Sequence, residues 1–433
     1  MEVTEEQKKD QTSTQILFPQ LISQMDKYYG LTEQLEDNRK RCQAPSSISS
    51  QKYKLRILIT TFWDYPIVGG LQNYIAALKI GLEDLGHQVD VLSPNQFPRD
   101  EVKKLRSVIT ENAKQFFINR YGSYNQKILR NYCDLSVYEA LAKRVDLQEY
   151  DIIHSQDRFT ALVMAKLNQH YNKPHLFTPH GFMTQRRLKF NLIEKGSVEE
   201  FYFSEIDRQA VINASHIVIL CEVFKPLLKN LGAQNEKMTT VYTGIQFERV
   251  KAAKQEDSVV ITCVSRLRPR KGHKYLFEAL ALLKKKLGNV EVRIVGDGEM
   301  REELEKQVQE LQLANVRFLG KRTDIPALLS ESDIFVLPTT SDTLPISVIE
   351  AMFAKQAIIT TDCGGIPEII RDDYSGLIAE PANSKQLAKK LLRLVKKQDL
   401  RKKLATQAQK YAKKHLTVNY MAQKIAEIYQ SLL

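Results

Sequence analysis

The chain has 433 residues, 43% of them hydrophobic, and a formal charge of +12 with a pI near 9.2, which predicts two or three domains with substantial cores and either a basic solvated surface or attraction to an anionic partner: nucleic acid, membrane surface or phosphorylated substrate. Five scattered cysteines without a Cys-x-x-Cys pair argue against a disulfide framework or a zinc site and fit reduced thiols in a cytosol. No apolar run approaches the roughly 18–20 residues that span a bilayer, and the polar start lacks a signal-peptide core, so a cytoplasmic protein is expected.

Residues 1–53 read as an extension, polar except for an apolar patch at 16–25 and ending in a linker-like stretch at 44–50; a short docked helix and disorder fit it equally. Residues 55–61 are a β-branched strand. Gly69 and Gly70 then make a turn, and Leu71, Ile75, Leu78, Leu82 and Leu85 recur at helical spacing until Gly86 stops the helix. With a strand at 89–92 this is a β-α-β unit, the start of a parallel sheet. Residues 101–145 are less regular, with Lys103, Arg106, Lys114, Arg120, Lys127 and Arg130 interleaved with Phe116, Tyr121 and Tyr132. Both a surface drawn to anionic lipid and an ordinary solvated helix pair fit that stretch. Short strands at 151–154 and 176–178 lead to His154 and His180, and another lies at 216–220.

The pattern restarts near residue 258, after a connection at 241–245 and a polar run at 251–257. Strands are expected at 259–264, 290–295, 316–319, 334–337 and 357–360, and helices at 273–287, 299–313, 346–354 and 384–397. The tail from residue 400 is helical. The fold class is therefore α/β, with two doubly wound domains facing across a cleft, and ligands belong beyond the C-terminal strand ends.

Arg266 and Lys271 follow a strand and precede a helix, where free N–H groups and two cations suit phosphate, although a solvated basic loop that includes Arg268 and Arg270 reads the same way. Asp342 lies in the loop after strand 334–337. Glu350 is eight positions on, amid Val348, Ile349, Ala351 and Met352, and a carboxylate buried there needs a partner: a ribose diol or a structural cation. Gly296 and Gly298 are either ligand-facing or plain turn residues, and His180 either meets a sugar hydroxyl or is structural. No metal-binding pattern and no base-reading motif stands out, so a nucleic-acid partner is not expected.

In order and spacing, Gly69-Gly70, Thr178-Pro-His-Gly181, Thr243-Gly-Ile245, the run from Ser265 to Gly272, Val295-Gly-Asp-Gly-Glu299, Phe318-Leu-Gly320, the run from Ser341 to Met352 and Cys363-Gly-Gly-Ile-Pro-Glu368 resemble the family 4 retaining glycosyltransferases of the GT-B fold. The resemblance implies an acceptor domain at 54–245, a donor domain at 246–410 and a C-terminal helix at 411–433 that packs back on the first domain. It implies that Arg266 and Lys271 neutralise the diphosphate of a UDP- or GDP-linked hexose and that Glu350 holds the ribose. Asp342, with the main-chain N–H groups of Thr343 and Leu344, would reach the sugar. His180 would lie near the sugar, and Gly69, Gly70, Gly296, Gly298 and Gly320 would let backbone approach the donor. Transfer would proceed with retention, without a divalent metal or cofactor, to a glycan or lipid-linked acceptor of the cell envelope, with peripheral contact to the inner membrane face. A catalytically degenerate scaffold is the alternative. Three positions depart from the family pattern: Asp342 replaces a Glu, Gln246 stands where Asp is usual, and residues 414–418 lack the usual aromatic pair.

Overall fold

The computed structural model describes residues 17–31, 54–67, 69–181, 183–250 and 258–433. Two wholly parallel six-stranded sheets organise them. The first holds β1 (Arg56–Thr60), β2 (Gln88–Leu92), β3 (Ile152–Ser155), β4 (His175–Phe177), β5 (His216–Ile219) and β6 (Met238–Thr240), in the order β2-β1-β3-β4-β5-β6. The second holds β7 (Val259–Val264), β8 (Val290–Val295), β9 (Val316–Gly320), β10 (Ile334–Leu337), β11 (Ala357–Thr361) and β12 (Leu377–Ala379), in the order β12-β11-β10-β7-β8-β9. β3, β10 and β11 are buried at every residue, as strands covered by helices on both faces must be. Strand order reverses between β1 and β3 and again between β7 and β10. Loops part at those two points and leave a crevice beyond the carboxyl ends.

The anticipated strands are present within a residue or two of their expected limits. β6 and β12 were not anticipated: each is three residues long, too short to carry a periodicity. The basic-aromatic stretch is a helix pair, Arg99–Tyr121 and Gln126–Ala142. Gly122 ends the first with φ +74°, and the Asn125 side chain caps the second by accepting the N–H groups of Lys127 and Ile128. Only Ala113 and Phe117 of the first helix are buried, whereas twelve residues of the second are, so the second is core and the first is its solvated cover. The polar run 251–257 lies outside the described residues, as does most of the extension.

The apolar patch of the extension forms a docked helix, Pro19–Tyr28. Phe18, Leu21, Ile22 and Met25 join the core of the first sheet. Arg120 donates to both Asp26 carboxylate oxygens at 2.7 and 2.8 Å, and the Tyr121 hydroxyl donates to one of them at 2.8 Å.

The last helix, Val418–Leu432, returns to the first sheet and packs on the helix Gly70–Asp84. Gly81 permits the approach, since a Cβ there would lie 2.7 Å from the Ala422 Cβ. The Tyr429 hydroxyl and the Thr178 hydroxyl each lie 2.7 Å from a ring nitrogen of His154. The chain passes between the sheets at Gly244–Ile245 and again at Leu416–Thr417. The two passages are bonded to each other, the Ile245 N–H donating to the Leu416 carbonyl at 2.9 Å.

Candidate active site

The loops at the second reversal carry the charged residues. After β7 the chain turns through Pro269–Lys271 and enters the helix His273–Leu283. Gly272 makes the junction at φ +73°, where a Cβ would fall 1.9 Å from the Pro338 carbonyl. That closeness presses the Lys271 loop onto the Asp342 loop. Lys271 Nζ donates to Asp342 Oδ2 at 2.7 Å, Arg270 donates to Oδ1, and the Thr339 hydroxyl lies 2.8 Å from Oδ2. Burial alone would raise the Asp342 carboxyl, but Lys271 and Arg270 outweigh it and hold the pKa below the usual range.

These bonds show how Asp342 is held. Asp342 does not present an open carboxylate: both oxygens are engaged with cations and a hydroxyl of its own domain. Asp is one methylene shorter than Glu, and its carboxylate stays close to the main chain, where Arg270 and Lys271 meet it. Arg270, which the sequence offered only as part of a basic loop, is thus integral to the site.

Glu350 lies within the helix Ile346–Phe353. Its side chain is partly buried and has no hydrogen-bond or ionic partner among the described residues. Burial pushes its pKa up to about 7. Arg266 is exposed, and its side chain likewise has no anionic partner among the described residues. The Thr343 and Leu344 N–H groups donate to no described residue, while the Thr343 carbonyl accepts from the Gly365 N–H at 2.7 Å. The two loops and the helix that follows the second thus hold an open cation, an open carboxylate and open main-chain donors.

The glycines divide by role. A Cβ on Gly296 would lie 2.0 Å from the Ser265 carbonyl, and one on Gly298 would lie 2.4 Å from that of Leu267. Both let the loop after β8 pack on the Arg266 loop, which accounts for them without a ligand. The Gly320 carbonyl accepts the Gly296 N–H at 2.8 Å. Gly69 and Gly70 stand at the start of the helix Gly70–Asp84, beyond β1 at the first reversal.

In the first domain, His180 follows β4 and lies edge-on to Tyr74, with ring centroids 4.6 Å apart. Its Nε2 is 3.0 Å from Gln156 Oε1. Burial lowers the His180 pKa to about 3, so the ring is neutral near pH 7. Next comes a short helix, Met183–Lys189, that carries Arg186 and Arg187. Sequence reasoning passed over both, since two arginines in a polar stretch have no distinguishing spacing. The domains touch at Glu368, whose carboxylate accepts the N–H groups of Glu222 and Val223 at 2.8 and 3.2 Å.

Among the described residues no group of three or more His, Cys, Asp or Glu side chains is placed to hold a metal ion, and no helix is long and apolar enough to cross a membrane.

Two facing Rossmann-like domains, with charged loops at a switch point, define the GT-B fold. Residues 68–249 match the model of Glycosyltransferase Family 4, and residues 244–411 match that of Glycosyl transferases group 1. Between them these matches run from residue 68 to residue 411, and the chain belongs to the group 1, family 4 glycosyltransferases. It is 25% identical to an uncharacterized glycosyltransferase of Methanocaldococcus jannaschii, over 83% of this chain and 94% of that protein. It is 26% identical to the N,N'-diacetylbacillosaminyl-diphospho-undecaprenol alpha-1,3-N-acetylgalactosaminyltransferase of Campylobacter jejuni, over 73% of this chain and 91% of that one. The crystal structure of Anabaena HepE in complex with UDP and glucose shares the fold, with a TM-score of 0.61 at 19% identity, covering 87% of this chain and 100% of that chain.

Proposed function

We propose that this glycosyltransferase moves a hexose from a UDP- or GDP-linked donor to a glycan or lipid-linked acceptor of the cell envelope, with retention at the anomeric carbon and without a divalent metal. The observation that carries the reading is the pairing of Lys271 and Arg270 with Asp342 beside an unpaired Arg266 and an unpaired Glu350. Three cations with one carboxylate leave net positive charge for a diphosphate, and Glu350 offers a carboxylate to a ribose diol. Relatives point the same way: the Campylobacter enzyme is named for a diphospho-undecaprenol acceptor, and HepE was solved with UDP, which favours UDP over GDP.

In this reading Asp342 holds Lys271 and Arg270 in place instead of binding sugar. The bond from the anomeric carbon to the phosphate oxygen breaks as the acceptor oxygen bonds to that carbon on the same face. The departing phosphate takes the acceptor's proton. Arg266, Lys271 and the N–H groups of Thr343 and Leu344 stabilise the charge that develops on the diphosphate, and positioning supplies the remainder. Neutral His180 offers a ring nitrogen to a sugar hydroxyl. The protein would work in the cytoplasm, at the inner membrane face when the acceptor is lipid-linked.

Calorimetric titration of UDP and of GDP tests this. One nucleotide should bind, and Lys271→Ala should weaken it about 10- to 150-fold, since a charged hydrogen bond contributes about 1.5–3 kcal/mol. Binding of neither nucleotide would refute the donor site and leave a scaffold role.

A further inference from the structure

Arg186 belongs to the first domain, yet its charge environment is set by the second. It stands on the helix Met183–Lys189 directly after the His180 turn, with Nη1 3.7 Å from the position a Cβ would take on Gly181. Burial lowers its pKa, and Arg270, Arg266 and Arg268 lower it further while Asp342 opposes them. Those four residues belong to the loops of the candidate donor site, and Arg186, beyond the carboxyl end of β4, stands on the first domain's side of the same cleft.

The cluster is unbalanced. Arg186, Arg266, Arg268, Arg270 and Lys271 are five cations, and the carboxylates that face them are Asp342 and Glu299. Asp342 is already shared between Arg270 and Lys271, and Glu299 is an exposed partner of Arg268 at 3.7 Å. The partly buried Arg186 side chain has neither an ionic nor a hydrogen-bond partner among the described residues. One donor atom of the cluster, Arg270 Nε, is buried with no acceptor. A partly desolvated guanidinium among like charges is unfavourable unless an anion joins it. The planar fork of Arg fits two oxygens of one phosphate.

We propose that Arg186 binds a phosphate group in the cleft, opposite Arg266 and Lys271. The inference rests on the donor-site reading above and extends it to the first domain. Two sources share the chemistry: the leaving diphosphate of the donor, which the two domains would then clasp from both sides, or a phosphate on the acceptor, which would lie next to that diphosphate.

The test titrates UDP, GDP and uridine into the wild-type protein, Arg186→Ala and Arg186→Lys, and then titrates inorganic phosphate into the UDP-saturated proteins. If Arg186 grips the donor, Arg186→Ala weakens the bound nucleotide about tenfold or more, leaves uridine unchanged, and Arg186→Lys recovers part of the loss. If it grips the acceptor's phosphate, nucleotide affinity holds and uptake of inorganic phosphate by the UDP-saturated protein disappears in Arg186→Ala. Equal binding of nucleotide and of inorganic phosphate by the wild-type and Arg186→Ala proteins overturns the proposal. Failure of the donor reading looks different, because neither UDP nor GDP would then bind the wild-type protein. Inorganic pyrophosphate decides in that case: binding lost in Arg186→Ala supports the Arg186 site, and binding that is absent or unchanged overturns it. Thermal melting of each variant identifies any that has not folded, and Arg186→Lys keeps the charge should the alanine variant fail.

Discussion

Glu350→Gln removes one charge from a partly buried site and keeps its shape, so the variant isolates what that charge does. The Glu350 pKa stands at about 7 against an ordinary value of 4.5. At about 1.36 kcal/mol per pH unit this gap corresponds to about 3 kcal/mol. The sign follows from the folded state keeping its proton longer than the unfolded chain. The stability from that proton is whole below about pH 4.5 and is lost as pH rises through about 7. The wild-type protein should therefore lose ground to Glu350→Gln between pH 5 and pH 8, by up to about 3 kcal/mol. In a domain of this size that is on the order of 6–12 °C in Tm, at about 2–4 °C per kcal/mol. Nucleotide affinity should move the opposite way: a ribose diol donates best to an ionised carboxylate, so wild-type affinity rises up to about pH 7 and Glu350→Gln binds weakly throughout. Differential scanning calorimetry at pH 5, 6, 7 and 8, with and without UDP, reads both trends. A Tm difference that is the same at pH 5 and pH 8 would falsify the account of Glu350 as a desolvated, unpaired carboxyl.

Two further expectations concern the frame around the site. Gly272→Ala places a Cβ 1.9 Å from the Pro338 carbonyl at φ +73°, which should cost about 2–4 kcal/mol and loosen the Lys271 and Asp342 loops together; a urea midpoint and nucleotide affinity that both match the wild type would count against that packing. Asp26→Ala strands the Arg120 guanidinium and should cost about 3 kcal/mol. Limited proteolysis checks it, with faster cutting around residues 17–31 expected and an unchanged pattern the contrary result.

Much of the fold was legible because its strands are short β-branched runs that end in turn residues. Val259–Val264, Val290–Val295 and Ile334–Leu337 have limits identical to those read from pattern alone. The docked helix Pro19–Tyr28 was not decidable, because an apolar patch of ten residues has no local preference strong enough to fix it. Its place depends on Asp26 meeting Arg120, 94 positions away. In the site, residue types and spacing marked Lys271, Asp342 and Glu350 but not who bonds whom. The engagement of Asp342 by Arg270 depends on how closely two loops from different strands approach, and that distance is set by Gly272. Arg186 was invisible for a related reason: its significance comes from cations of the other domain, about 80 to 85 positions downstream.

The return of Val418–Leu432 to the first sheet has a consequence for synthesis. Nearly all of the first domain leaves the ribosome before residue 250, but the helix that covers Gly70–Asp84 and sets Tyr429 against His154 is made only after the second sheet. Some 170 residues separate the two passages at Ile245 and Thr417, and at about 5–20 residues per second their translation takes roughly 10–35 seconds. Throughout that interval the faces of Tyr74, Ile75, Leu78 and Leu82 that later bury Met421, Ile425 and Tyr429 lie open. The first sheet is thus closed only after the second has been translated, and the nascent chain must keep an apolar surface in solution until the helix Val418–Leu432 arrives.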